Sequence, residues 1–134
     1  MKLVLKNTLP NTGKDSAGRI EVKLKTLAEY APMFEEEGKF LIVKSQELTD
    51  SYDKKPLHMN VTNIQGKIEP QGGSSVSDVM QRSLDKVKAQ RDSTGVPMFL
   101  HINHPNFIWA ITPEDIIALD GERFFEVYNG HPQV

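Results

Sequence analysis

An α/β fold follows from three features of this sequence: short apolar or alternating runs of strand length, a segment with helical spacing between them, and connections long enough for crossovers. PLHMNVTNI, 56–64, alternates cleanly, with Leu57, Met59 and Val61 on one face and His58, Asn60 and Thr62 on the other. Val76, Val79, Met80, Ser83, Leu84 and Val87 recur at helical spacing across 75–91. Together these read as a mostly parallel sheet flanked by helices.

In chain order, residues 7–19 carry loop composition, and 1–20 are expected to be flexible or loop-rich. Thr26-Leu-Ala-Glu29 fits a capping box, so a helix is expected over 27–37, kinked or in two pieces because Pro32 removes a backbone donor. Gly38 is its expected stop. FLIVK, 40–44, is a short apolar run that reads as a strand buried on both faces. The alternating strand at 56–64 follows, then the loop EPQGGSS and the helix at 75–91. VPMFLHI, 96–102, is the next strand, Thr112 with Pro113 opens a short helix to Leu119, and RFFEVY, 123–128, is the last strand. Helical connections of this length favour parallel pairing with right-handed crossovers. Phe99, Phe107, Trp109, Phe124 and Phe125 are expected in the core.

A chain of 134 residues is one domain by length, expected to span 1–134. Its formal net charge of −2 offers no handle for nucleic acid or an anionic membrane, so neither is expected as a partner. Without cysteine, any metal would need His, Asp, Glu or Asn ligands. The apolar patch at the amino terminus is broken by Lys6, too short for a signal or membrane segment, and a cytoplasmic chain is expected.

In parallel α/β sheets, reactive groups collect just beyond the carboxyl ends of the strands. Here Glu47 lies shortly past FLIVK, His104 just past VPMFLHI, and Asn129 and His131 directly after RFFEVY, with Glu126 inside that strand. His58 lies near the start of its strand; an antiparallel course would bring it to the same rim. Imidazole and carboxylate are the donors that Zn, Mn or Fe ions take when thiolate is absent. Each residue also has a plainer reading: Glu47 as a solvated loop acid, His58 as a cross-strand hydrogen bonder beside Asn60 and Thr62, His104 as a turn cap, His101 as a core histidine or a support for a ligand. His131 reads as substrate-side or structural.

The strings QELTDSYDKKPLHMN, HINHPNFIWAITPEDIIAL and FFEVYNGHP resemble the PHP (polymerase and histidinol phosphatase) superfamily over roughly 22–134. The resemblance implies a distorted α/β barrel, a cluster of divalent ions at its carboxyl rim and hydrolysis of phosphate esters. Carried over, Glu47, His58 and His104 resemble metal ligands. His101, Asn106, Glu126, Asn129 and His131, from their places in the sequence beside these, are expected to bind substrate or support the ligands. No residue is assigned as the catalytic acid or base. The family's early His-x-His pair and its late Asp-x-His have no counterpart, since the histidines are His58, His101, His104 and His131. The chain thus resembles the central portion of a PHP domain, a truncated one.

Two functions follow as expectations. One is a metal-dependent phosphoesterase acting on a small phosphate ester with Zn, Mn or Fe, the ion being present, substoichiometric or absent given the missing motifs. The other is a catalytically inactive PHP-like module for binding or oligomerisation. An incomplete barrel leaves open edges, so a homodimer is expected.

Overall fold

The computed structural model describes residues 25–130, and the chain divides into two units between Ile42 and Val43. The expectations for residues 1–20 and for His131 lie outside the described residues.

In the first unit, helix α1 (Leu27–Tyr30) is followed by a 3-10 turn, Ala31–Met33, that contains Pro32, so the expected helix is in two pieces, but it stops at Met33 rather than running to 37. The carboxylate of Glu29 accepts from the Thr26 N–H at 2.7 Å and from its hydroxyl at 2.9 Å. Gly38, at φ +72°, sits in the tight turn that lets Glu36 and Phe40 pair. FLIVK is therefore no buried strand. Phe40 makes only that bridge, and Leu41 is 74% exposed.

The second unit is built on four strands in the order β1-β2-β3-β4: β1 Ser45–Tyr52, β2 Lys55–Thr62, β3 Phe99–Ile102 and β4 Phe124–Phe125. The sheet is mixed. β1–β2 and β2–β3 are antiparallel and only β3–β4 is parallel, which corrects the expectation of a mostly parallel sheet. The cause is the turn Asp53-Lys54. Both residues have positive φ, 46° and 64°, the backbone of a two-residue hairpin turn that folds β2 straight back on β1. The class is accordingly α/β in the broad sense, a mixed sheet with helices.

Leu48, Met59 and Ile102 share one row across three strands, and Leu57, Val61 and Leu100 share their face. Against this face packs α2 (Val76–Thr94), burying Val76, Val79, Met80, Ser83, Leu84 and Val87. Each fully buried aliphatic side chain contributes about 1.5–3 kcal/mol, so this layer dominates stability. Ser75 caps α2 by accepting from the Asp78 N–H at 3.1 Å, and Gly95, left-handed at φ 66°, ends it with its N–H on the Arg91 carbonyl. Helix α3 (Pro113–Ile117) starts from Thr112, whose hydroxyl accepts from the Asp115 N–H, and Ser77 on α2 donates to Asp115 at 2.9 Å.

The aromatic residues depart from expectation. Trp109 is 80% exposed, and Phe99, Phe124 and Phe125 are also exposed, while Phe107 is half-buried. They fall on the strand ends and on the turn after β3 rather than between α2 and the sheet, where aliphatic side chains already fill the space. No helix among the described residues is long and apolar enough to cross a membrane.

Candidate metal centre

With α2 on one face, alternation sends Glu47, Thr49, His58, Asn60 and His101 to the other. Glu47, Asn60 and His101 lie in one row across β1, β2 and β3, and Thr49 stands opposite His58. The Asn103 N–H donates to the His58 carbonyl at 2.9 Å, which carries the β2–β3 pairing one step beyond β3. His104 comes next, at φ 25°, and turns the chain over the end of the sheet.

This arrangement brings Glu47, His58 and His104 together, with one potential ligand atom from each lying within 4.8 Å of the others. His58 Nδ1 and His104 Nε2 are 3.3 Å apart, their rings nearly perpendicular at 87°. For nitrogen ligands about 2.0–2.1 Å from a tetrahedral ion, the N···N separation is about 3.3–3.4 Å, which is the separation found here. Two imidazole nitrogens and a carboxylate oxygen are also a donor set that suits Zn, Mn or Fe. The residues fit a divalent ion. Glu47 is exposed and the two histidines are half-buried, leaving the centre open to solvent on the Glu47 side.

Supporting groups surround the three. Asn103 Nδ2 donates to Glu47 Oε1 at 3.3 Å, and the ring of Phe107 stacks on His58 at 6.3 Å and meets His104 edge-on at 5.2 Å. Glu126 Oε2 accepts the His104 N–H at 2.7 Å and the Asn129 amide at 3.0 Å. The Asn129 hydrogen bond, opposed by burial and aided by the His104 N–H and the nearby His104 and His101 rings, holds the Glu126 carboxyl below the usual range. Glu126 thus stays an anion and keeps its grip on the turn. Strain gathers in this turn: Ile108 and Trp109, like His104, have positive φ, at 46° and 56°.

Glu47 is not past the end of a strand, as its sequence position suggests, but inside β1, facing outward. His101 is half-buried on this same face, its Nε2 3.5 Å from the Asn60 amide, and is not a core histidine. Asn106 is not among the converging residues. It lines an apolar cleft of about 410 Å³ with Trp109, Ile116 and Phe125. Asn103 and Phe107 were missed by sequence reasoning; for Asn103 the signal was available, since alternation from His101 places it on the same face, directly before His104.

Comparison of the chain with family models, curated proteins and solved structures finds no match.

Proposed function

We propose that the chain is a PHP-like, metal-dependent phosphoesterase domain with a partial, distorted barrel architecture, in which Glu47, His58 and His104 hold a divalent ion. The observation that supports this reading is the convergence of those three side chains from β1, β2 and the turn after β3. A Zn, Mn or Fe ion held there by Glu47, His58 and His104 would supply Lewis acidity toward a phosphate ester and a water. The chain's own residues do the rest. His58 Nδ1 and His104 Nε2 are the ring nitrogens that face each other and would hold the ion. Glu126 fixes the backbone from which His104 projects, and Phe107 walls the two rings against free rotation. The open Glu47 side admits a small phosphate ester, with His101 and Asn60 on the sheet face beside it.

The second reading is an inactive PHP-like module, and it is favoured by the absence from the sequence of a His-x-His pair and of Asp-x-His. Hydrolysis of p-nitrophenyl phosphate with Zn²⁺, Mn²⁺ or Fe²⁺ added decides between them. The phosphoesterase reading expects metal-stimulated turnover that His104→Ala abolishes; protein that binds the ion without turnover supports the module. Self-association fits either reading, since Trp109, Ile117, Val127 and Tyr128 are all at least 70% exposed. Light scattering is expected to give the mass of a dimer, and a clean monomer at tens of micromolar would contradict it. A cytoplasmic location remains part of the proposal.

A further inference from the structure

Asn103 touches the candidate centre from three directions. Its Nδ2 donates to Glu47 Oε1, its backbone N–H pairs with the His58 carbonyl, and it precedes His104 in the chain. It is also 93% buried, being 7% exposed. The hydrogen bond to Glu47 settles which end of the amide is which, because a carboxylate oxygen accepts and only the NH₂ can donate to it. The other end, Oδ1, is buried and has no partner among the described residues. A buried carbonyl oxygen without a hydrogen bond is a standing cost to the fold.

We propose that Asn103 is the positioning residue of this centre. Nδ2 holds Glu47 so that its carboxylate faces the two imidazoles. This rests on the reading of Glu47, His58 and His104 as ion ligands. It has a signature that a structural residue lacks. Leucine has nearly the shape of asparagine, so Asn103→Leu removes the orphaned oxygen and the donor to Glu47 together. The metal-free variant is then as stable as the parent protein or more so, while its ion affinity falls.

Co²⁺ is the probe, because its visible absorption reports the geometry of its ligands. Titration of the parent protein, Asn103→Leu and Asn103→Asp is read as affinity and spectrum, beside the thermal midpoint of each metal-free protein. Asn103→Leu is expected to bind Co²⁺ about 10–100-fold more weakly, with an altered spectrum and an unchanged or raised midpoint. Asn103→Asp keeps the shape and an acceptor but donates nothing to Glu47, and is expected to lose affinity too. Unchanged affinity and spectrum in both variants, with the parent binding Co²⁺, would overturn the role of Asn103 and leave the centre standing. Full affinity in Asn103→Asp alone would overturn the donor role, as would a lowered metal-free midpoint with intact binding in Asn103→Leu. A parent protein that takes up no Co²⁺ would remove the centre itself.

Discussion

His58 and His104 are 46 positions apart in the chain, yet His58 Nδ1 lies 3.3 Å from His104 Nε2. The separation is set by the sheet. β2 carries His58 outward near its middle, one row past the Met59–Ile102 pair, β3 pairs with β2 antiparallel, and Asn103 extends that pairing so that His104 leaves the strand beside His58. Two ring nitrogens that close require either a shared proton or a shared cation.

Glu126 is expected to matter to the ion proposed there, although it is not among the three converging residues. Its carboxylate takes the His104 N–H at 2.7 Å and steadies a backbone at φ 25°. Glu126→Ala is expected to weaken Zn²⁺ binding about 10-fold while leaving the far-ultraviolet circular dichroism unchanged. Isothermal titration checks it, and equal affinity would show that the turn holds itself.

The hairpin turn offers a stabilising change. Lys54 sits at φ 64° and Asp53 at φ 46°, a conformation that glycine and asparagine adopt with less strain. Lys54→Gly is expected to raise stability by about 0.5–1 kcal/mol, read as a higher urea midpoint with an unchanged slope.

Gly73 gives the opposite case. A Cβ there would meet the Val79 nitrogen at 2.8 Å and its Cγ2 at 2.9 Å, at the first turn of α2. Gly73→Ala is expected to destabilise the protein by about 1–3 kcal/mol, since backbone rather than a flexible side chain must move. Leu57→Ala, in the core at 0% exposure, should cost about 2–5 kcal/mol and sets the scale.

Acid sensitivity follows from Asp115. Burial pushes its carboxyl up, but the Thr112 N–H, the Ser77 and Thr112 hydroxyls and the Lys55 charge outweigh that and leave it below the usual value. A carboxyl lowered in the folded state contributes stability that is fully present above the unfolded value, about 3.9, and is lost as pH falls through the lowered folded value. Urea midpoints are therefore expected to fall below about pH 4, with a shallower fall in Asp115→Asn. Asp78 adds to the same slope through its bonds from the Ser74 N–H and from Arg82.

Much of the second unit was legible because its buried residues carry a period. β2 showed itself by strict alternation of Leu57, Met59 and Val61, and α2 by six residues at helical spacing. β1 did not, because within SQELTDSY only Leu48 is buried. Its polar groups are satisfied by a segment distant in the chain: Gln46 exchanges hydrogen bonds with the backbone of Ile68, and Asp50 accepts the Gln71 and Gly72 N–H groups. FLIVK drew the strand reading by composition alone. The turn was hidden too, since Asp-Lys lacks the glycine or asparagine that announces a positive-φ hairpin. Glu47, His58 and His104 do lie together; the antiparallel course expected for the strand of His58 is present, but Glu47 joins from inside β1 rather than from beyond a strand end.

The ion-to-chain ratio, measured by plasma mass spectrometry on tag-free protein equilibrated with Zn²⁺, Mn²⁺ or Fe²⁺ and then desalted, tests the central claim most directly. About one ion per chain is expected, falling to background in both His58→Ala and His104→Ala. Folded protein that retains no ion, or that retains it equally in both variants, would contradict a metal centre at Glu47, His58 and His104.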